Sequence, residues 1–320
     1  MRILLTGASG FVGCAVLGRL LADGRHQIRS SYRSIPKDVP EDVEVCVVPE
    51  IGEDTDWSGV LRGVTTIVHC AARVHVMNES EADPLSAFRR VNVQGTLQLA
   101  RQAANSGVRR FIFISSIKVN GEATLPNAPF AATDRPAPID PYGVSKMEAE
   151  QQLRELSSAT GMEVVIIRPT LVYGPGVKAN FLSMMRWLDK GVPLPLGSID
   201  NRRSLVALDN LVSLIVTCVD HPAAANETFL VSDGEDLSTS ELLRRMALAL
   251  GKPARLLPVP VWLLEATAAL LGKRAFSKRL CGSLQVDIGK TRTLLNWNPP
   301  LGVDEALSKV AKHYMETQAK

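Results

Sequence analysis

The sequence predicts an α/β fold: a Rossmann-type, doubly wound parallel sheet followed by a smaller, mostly helical C-terminal domain. In the first half, short and nearly continuous apolar runs alternate with helical patterns, which is typical of parallel strands buried on both faces. A glycine-rich turn follows the first apolar run and opens the first helix, as in sheets that bind a ligand at the carboxyl ends of their strands. Beyond residue 172, Pro and Gly separate a series of helical patterns.

Each element follows from its own stretch of sequence. The predicted strands lie at 2–6, 27–33, 43–48, 65–70, 109–116 and 163–169. The predicted helices lie at 11–23, 84–106, 141–160, 178–190, 209–221, 238–250, 261–271 and 303–316. Two later runs, SLVAL (204–208) and TFLVS (228–232), are expected to return to the first sheet. The predicted cofactor domain therefore spans 1–172 with 204–232, and the predicted substrate domain spans 173–203 and 233–320.

The composition indicates a globular protein without a nucleic-acid partner. The 320 residues are 46% hydrophobic with a formal net charge of +3, a mild charge that gives no reason to propose nucleic acid. The five cysteines are far apart without metal-site spacing, so we expect free thiols, no metal and a reducing, cytoplasmic location. The start of the chain lacks the pattern of a signal peptide. The stretch VWLLEATAALLG (261–272) is too short to span a bilayer, so it predicts a buried or surface-docked helix and no transmembrane segment.

The turn TGASGFVG (6–13) predicts a dinucleotide site. Its three glycines follow a strand and precede a helix, where they allow a tight turn and a close approach of backbone N–H groups to a pyrophosphate. The helix start also places the positive end of the helix dipole at the anion. The predicted contacts in this turn are Gly7, Ser9, Gly10, Phe11, Val12 and Gly13.

The end of the second strand bears on the choice of dinucleotide. An acid about 20 residues beyond the glycines would bind the ribose hydroxyls of NAD, but Ser31, Tyr32 and Arg33 occupy this place. Asp38, the first acid after them, lies beyond a proline. Arg33, helped by Arg29 and the Ser hydroxyls, could bind the 2′-phosphate of NADP instead. We therefore expect NADP(H), with NAD(H) as the alternative.

A Ser, a Tyr and a Lys form a candidate catalytic set. Tyr142 and Lys146 are four residues apart on a predicted helix and hence on one face. A Lys ammonium beside a phenol is expected to lower the pKa of the phenol, so that Tyr142 could exchange a proton with a substrate oxygen. Ser116 ends a predicted strand at the ligand edge of the sheet, where its hydroxyl could bind the same oxygen.

These motifs resemble a known family. TGASGFVG, HCAAR, VNVQGT, FISSIKVNG, YGVSK and IIRPTLVYGPG have the order and spacing of the extended short-chain dehydrogenase/reductases, the nucleotide-sugar epimerases, dehydratases and reductases. The resemblance implies that Ser116, Tyr142 and Lys146 are the catalytic triad and that Lys146 also holds the nicotinamide ribose. The further cofactor contacts that it implies are Glu50, Ile51, Cys70, Ala71, Ala72, Asn92, Ser115, Pro169 and Val172.

The resemblance also implies a substrate side. Asn180 would meet the diphosphate, the backbone around Leu194 and Leu196 the uracil, and either Arg202 or Arg203 would clamp the diphosphate. Arg279 is a further candidate for the anion, and Lys118, which follows the catalytic Ser, is a candidate substrate contact. A homodimer is common in this family and is possible here.

Two reactions compete. The pattern is most similar to bacterial enzymes of O-antigen (lipopolysaccharide) sugar synthesis that act at C4 of UDP-linked amino sugars. Because the acid on the ribose is absent and Arg33 is present, we expect NADPH-dependent reduction of a UDP-4-keto-6-deoxy-N-acetylhexosamine. The alternative is a 4-epimerase of a UDP-hexose or UDP-N-acetylhexosamine with tightly bound NAD. A dehydratase fits less well because Glu122 is the one acid near Ser116, and a non-catalytic NADP-sensing regulator would not need the triad.

Overall fold

The computed structural model describes residues 1–36, 38–74, 83–125, 127–272, 277 and 280–318. The strands are β1 (Arg2–Thr6), β2 (Gln27–Tyr32), β3 (Val43–Val47), β4 (Thr66–His69), β5 (Arg110–Ile114), β6 (Glu163–Pro169), β7 (Leu171–Tyr173), β8 (Arg203–Ala207), β9 (Thr228–Val231) and β10 (Asp236–Leu237). The α-helices are α1 (Phe11–Asp23), α2 (Ser58–Leu61), α3 (Pro84–Arg89), α4 (Thr96–Asn105), α5 (Pro141–Thr160), α6 (Ala179–Asp189), α7 (Leu208–Asp220), α8 (Thr239–Ala249), α9 (Val261–Leu270), α10 (Gly289–Leu295) and α11 (Val303–Gln318).

Seven strands form one parallel sheet in the order β3-β2-β1-β4-β5-β6-β9. The strand order reverses between β1 and β4, so a crevice opens at the carboxyl ends of these two strands. This is the doubly wound architecture that the sequence predicts, and the six strands predicted in the first half are confirmed.

Both faces of this sheet are buried. Alternate side chains of β1 point to opposite sides: Ile3 and Leu5 pack in the cluster that contains residues of α1 and α7, and Leu4 packs in the one that contains residues of α4 and α5. Each strand lies between two layers of helices, which explains why its sequence is almost continuously apolar.

Helix α5 is the longest helix of the first half, and its start is defined by two residues. Asp140 caps it by accepting a hydrogen bond from the N–H of Gly143 (2.6 Å), and Pro141 occupies the first helical position. The helix ends at Gly161, whose φ of 77° requires the left-handed conformation. These signals place Tyr142 and Lys146 in the first two turns.

Helix 84–106, predicted as one helix, has three parts. A π-helix (Arg90–Gly95) separates α3 from α4, and it contains Asn92. π-Helical segments often occur at functional sites because the extra residue changes which side chains face inward.

The second half forms a separate core around a three-stranded sheet in the order β10-β8-β7. Residues of α6, α8 and α11, among them Phe181, Met185, Leu243 and Val310, pack together there.

The run TFLVS returns to the first sheet as β9, but the expectation for SLVAL is wrong: β8 pairs with β7 and β10. The cause is that β9 occupies the place beside β6.

Candidate functional site

The glycine-rich turn lies directly against the end of β4. Gly7 has a φ of +72°, and a Cβ placed on it would lie 2.7 Å from the backbone N of Ala71. A Cβ on Gly13 would lie 2.1 Å from the carbonyl oxygen of Gly7. No side chain caps the N-terminus of α1 at Gly10, where Ser9 and Phe11 are exposed. The turn therefore fits the pyrophosphate of a dinucleotide, since only glycines leave room for the backbone to approach a ligand.

The ribose corner, at the end of β2, differs from the sequence-based prediction. Arg29 is buried and donates to the carbonyl oxygens of Val60 and Arg62 (3.0 Å for the latter) and to Glu44 Oε1 (2.7 Å). Ser30 and Ser31 are buried as well. Arg29 and these hydroxyls are therefore not available to a 2′-phosphate, because strand β2 turns them into the protein.

Arg33 is left as the candidate cation of this corner. It is exposed directly after β2, whereas Tyr32 is buried at the strand end. An isolated, exposed guanidinium is a weak basis for choosing NADP over NAD, because solvent screens its charge.

The adenine side is closed by tight packing of backbone. A Cβ on Gly95 would lie 2.6 Å from Cγ2 of Ile51, so the loop after β3 lies on the π-helix. Glu50 is exposed beside Ile51 and its carbonyl oxygen accepts a hydrogen bond from Thr55 Oγ1 (3.0 Å). Both residues follow β3 at the carboxyl edge of the sheet, and their contact with adenine stays a prediction.

Asn92 connects the end of β4 to α5. Its Oδ1 accepts from the N–H of Arg73 (2.8 Å), and its Nδ2 donates to the carbonyl oxygen of Arg73 (3.0 Å) and to Ser145 Oγ (3.0 Å). The side chain is buried, so its role in the structure is to tie the loop at Cys70, Ala71 and Ala72 to the helix that carries Tyr142. These three loop residues are half-buried along the crevice.

Ser116, Tyr142 and Lys146 lie on elements in close contact. Ser116 follows β5 and caps a short 3₁₀ turn (Ile117–Val119), with its Oγ accepting from the N–H of Lys118 (3.2 Å). Gly143 allows α5 to approach this turn, since a Cβ there would lie 2.9 Å from the carbonyl oxygen of Lys118. The Tyr142 ring packs edge-on against Phe88, with centroids 5.9 Å apart.

Burial determines the titration of the pair in α5. Lys146 is 1% exposed, donates to the carbonyl oxygen of Ile114 (2.8 Å) and lies 4.3 Å above the ring of Phe113. Burial lowers the pKa of Lys146 to about 8. Burial and the nearby Asp140 raise the pKa of Tyr142, contrary to the expected lowering by Lys146. The physical reason is that the removal of water from the phenol outweighs the attraction of an ammonium that is itself engaged by Ile114.

A buried ionic network behind this pair was not predicted. Glu150 accepts hydrogen bonds from Arg168 through both carboxylate oxygens (2.9 and 2.5 Å) and from Ser115 Oγ (2.5 Å). Arg168 also donates to Asn120 Oδ1 (2.8 Å). The hydroxyl of Ser115 therefore serves this network rather than the cofactor, which corrects the prediction for its side chain.

The sequence does contain a signal for the network. Arg168 is a charged residue within the apolar run EVVIIRP, and Glu150 lies one helical turn after Lys146. A charge in a strand buried on both faces needs a partner, which the sequence alone does not identify.

The remaining walls of the crevice are apolar or neutral. Pro169 ends β6 and is buried, and Val172 in β7 is half-buried. His69 is buried between Thr6 Oγ1 (2.7 Å) and Thr96 Oγ1 (3.0 Å), and burial lowers its pKa to about 3. It is therefore neutral at physiological pH and supports the core.

On the substrate side, Lys118 and Asn180 have different surroundings. The Lys118 ammonium is paired with Asp140 and lies 3.5 Å from Glu122 Oε1, so its charge is compensated within the protein, contrary to the role of a free substrate contact. Asn180 is exposed in the first turn of α6. Ala179 before it has a φ of 53°, a strained conformation of the kind that clusters at binding sites.

The backbone expected to bind uracil is engaged in the protein. The Leu194 N–H donates to the carbonyl oxygen of Arg255 (2.9 Å), and the Leu194 carbonyl oxygen accepts from the N–H of Leu257 (2.8 Å). The carbonyl oxygen of Leu196 accepts from Ser240 Oγ (2.6 Å). Residues 255–257 and Ser240 thus engage three of the backbone groups of this segment within the protein, and the contact with uracil stays a prediction for the segment.

The two neighbouring arginines are distinguished by burial. Arg203 is half-buried and donates to the carbonyl oxygen of Gly282 (2.9 Å), and burial lowers its pKa. Arg202 is exposed, which makes it the more accessible of the two to an anion. Arg279 lies outside the described residues.

No group of three or more His, Cys, Asp or Glu side chains among the described residues could hold a metal ion. Within the same ranges, no helix has the length and apolar character needed to cross a membrane.

Comparisons with known proteins agree with the fold. A family model described as NAD dependent epimerase/dehydratase family matches residues 3–232. A Vibrio cholerae protein named UDP-glucose 4-epimerase is 52% identical over 316 residues, covering 98% of this chain and 95% of its own. An Escherichia coli O157:H7 protein named N-acetyl-alpha-D-glucosaminyl-diphospho-ditrans,octacis-undecaprenol 4-epimerase is 29% identical over 315 residues, covering 91% and 89%. The crystal structure of UDP-glucuronic acid 4-epimerase from Bacillus cereus in complex with NAD has a TM-score of 0.79 at 20% identity, covering 100% of this chain and 98% of its own.

Proposed function

The chain belongs to the NAD dependent epimerase/dehydratase family, and we propose that it interconverts the C4 epimers of a UDP-linked hexose with NAD as its resident cofactor. The observation that carries this proposal is the 52% identity, over nearly the whole chain, to the protein named UDP-glucose 4-epimerase. The burial of Arg29 supports it, because this leaves Arg33 without the helper that was expected for binding a 2′-phosphate. The 4-epimerase alternative is thus favoured over the 4-keto reductase.

In the proposed reaction, Tyr142 and Ser116 bind O4 of the sugar. NAD, held by the Gly7–Gly13 turn, would supply reversible hydride exchange at C4, and return of the hydride to the opposite face of the sugar would invert that carbon. Tyr142 takes the O4 proton as the carbonyl forms and gives it back at the end, so no net proton is consumed. Ser116 Oγ, free to donate its proton, holds the same oxygen.

Lys146 provides the positive charge that the Tyr142 phenolate requires. Since the pKa of Lys146 is lowered to about 8, its ammonium is mostly charged at neutral pH. Burial raises the pKa of Tyr142, so the crevice has to stabilise the phenolate electrostatically during the reaction. The hydrogen bond of Lys146 to Ile114 and the Glu150–Arg168 pair hold these groups in place.

The residues fit NAD at three places. The Gly7–Gly13 turn would hold the pyrophosphate, Ile51 would border the adenine, and the loop at Ala71 would line the cofactor. On the substrate side, Asn180 and Arg202 are the exposed polar groups that would meet the diphosphate.

A product assay tests the proposal. Purified protein is incubated with UDP-galactose, and separately with UDP-N-acetylgalactosamine, without reduced cofactor, and the sugars are resolved by NMR. We expect conversion of one of them to an equilibrium mixture of C4 epimers. The same preparation is given a UDP-4-keto-6-deoxy-N-acetylhexosamine with NADPH. Stoichiometric NADPH consumption there, without any epimer formation, would establish the reductase and overturn the epimerase.

A further inference from the structure

Helix α9 exposes an apolar surface. Trp262 is 69% exposed and Leu270 88%, and both lie on one stripe because they are eight residues apart. Leu263 and Leu271 are exposed beside them, and Glu265 is the single charged residue of the helix. We call Trp262, Leu263, Leu270 and Leu271 the α9 surface. A cluster of this kind on a folded protein marks a site of interaction.

The other side of α9 is anchored. Val261 and Leu264 are half-buried and pack against the core that α6, α8 and α11 form. Helix α9 therefore contacts the protein through one side and exposes its other side to solvent, as expected for a helix on the protein surface.

The sequence around α9 is strongly basic. Residues 252–280 contain six Lys and Arg residues and one Glu, a net charge of +5, whereas the whole chain carries +3. The rest of the protein is thus slightly acidic, and the excess of positive charge is confined to the segment with the apolar helix. Among the described residues of this segment, Lys252 and Arg255, which precede α9, are exposed, and the Lys252 ammonium lies 3.6 Å from Asp189 Oδ1.

We propose that the α9 surface docks on an anionic lipid bilayer, with the helix lying in the plane of the interface. Apolar side chains and a Trp would enter the boundary between headgroups and acyl chains, and the basic residues would attract anionic headgroups. A second copy of the chain fits less well, because two identical segments of net charge +5 would repel each other across the contact.

The location of α9 connects it to the substrate side. Residues 255–257, which lead into the helix, pair with Leu194, and the Gly197 N–H donates to the carbonyl oxygen of Leu257 (2.9 Å). Docking through α9 would therefore bring the segment around Leu194 close to the bilayer. The inference does not depend on which sugar the site converts.

Vesicle sedimentation tests the docking. Full-length protein is mixed with vesicles of phosphatidylcholine containing 30% phosphatidylglycerol, and separately with vesicles of phosphatidylcholine alone. We expect the bound fraction to be about fivefold larger with the anionic vesicles and to fall in 0.5 M NaCl. The double variant Trp262→Ser/Leu270→Ser should lower the partition coefficient about tenfold, since it removes both large side chains of the stripe.

Three controls make the test decisive. Val47→Ser alters an exposed apolar residue at the outer edge of the seven-stranded sheet and should leave binding unchanged. Arg255→Glu, which leaves the ion pair between Lys252 and Asp189 in place, should weaken binding to anionic vesicles without altering α9. The turnover of UDP-sugars by the Trp262→Ser/Leu270→Ser protein should match the wild type, which separates docking from catalysis.

Either of two results overturns the proposal. One is equal sedimentation of wild type and double variant with anionic vesicles. The other is a wild-type dimer in sedimentation velocity that the double variant converts to monomer, with no vesicle binding by either protein. The second result would identify the α9 surface as a contact between copies of the chain.

Discussion

The crevice has two corners that are built in different ways. At the catalytic corner, between β5 and α5, Lys146, Glu150 and Arg168 are each 1% exposed and their charges are compensated by hydrogen bonds inside the protein. At the ribose corner, after β2, the charged side chain is Arg33, which is exposed. A site on rigid, buried supports holds its geometry, whereas an exposed charge contributes little energy. Substitutions at the first corner should therefore change the reaction rate strongly. Substitutions at the second corner should change the preference between NAD and NADP only weakly.

The largest effect is expected at the catalytic corner itself. Tyr142→Phe removes the hydroxyl that we propose exchanges the O4 proton but keeps the ring against Phe88. We expect kcat to fall about 10³-fold, within the range for the loss of a general acid–base. NAD content after denaturation should equal that of the wild type. A variant with unchanged kcat would remove Tyr142 from the mechanism and with it the distinction between the two corners.

The second largest effect is expected at the Glu150–Arg168 pair, which lies behind that corner. Glu150→Gln leaves the Arg168 guanidinium buried without a charged partner, which costs about 3 kcal/mol or more of unfolding free energy. Because Ser115 and α5 share the network, kcat should fall as well, while the KM for the UDP-sugar stays within about threefold.

A matched control lies two residues away. Glu148 lies on α5, like Glu150, and forms an ion pair with Arg89 of α3 at the surface. Glu148→Gln should therefore lower the free energy of unfolding by less than about 1 kcal/mol. Urea unfolding of both variants gives the comparison. If the two variants lose the same stability, the buried network does not hold the catalytic corner, and its rigidity has another source.

The two corners also differ in how far the sequence predicts them. The strands β1 to β6 were predicted within two residues at each end, because buried parallel strands are recognisable as apolar runs. The glycine turn and the Tyr142–Lys146 pair are recognisable from short-range spacing, whereas Ser116 was selected for its place at the end of a predicted strand. Arg29 and Arg33 are four residues apart, so strict alternation along an extended chain would place both on the same side and does not distinguish the buried residue from the exposed one.

Long-range pairing accounts for what was missed. Glu150 meets Arg168 only because β6 lies beside α5, and β8 leaves the first sheet only because β9 takes the place beside β6. Likewise, the backbone of Leu194 is engaged by residues 255–257, about 60 positions later in the chain. No local pattern carries this information.

A smaller effect is expected at the glycine-rich turn, which lies against the end of β4. Gly13→Ala would place a Cβ 2.1 Å from the carbonyl oxygen of Gly7, so the turn would have to move away from its position against Ala71. We expect NAD affinity to fall at least about tenfold, since the pyrophosphate depends on the backbone approach. Gly18→Ala in the same helix is the control. Nothing lies within 4 Å of its Cβ, so it should leave NAD binding unchanged and stabilise the helix slightly. Equal NAD affinity of both variants in calorimetry would contradict a pyrophosphate site at this turn.

The smallest effect is expected at Arg33. If NAD is the resident cofactor, Arg33→Ala should change its Kd by less than about threefold, because an exposed guanidinium without a phosphate to bind contributes below 1 kcal/mol. Titration of the apoprotein with NAD and with NADP measures both affinities, and Arg19→Ala, an exposed substitution on α1, controls for the loss of one positive charge. A wild type that binds NADP much more tightly than NAD, and loses this preference in Arg33→Ala alone, would show that one exposed arginine does select the dinucleotide. The ribose corner would then be as specific as the catalytic one, and the NADPH-dependent reductase would again be the better interpretation of the whole site.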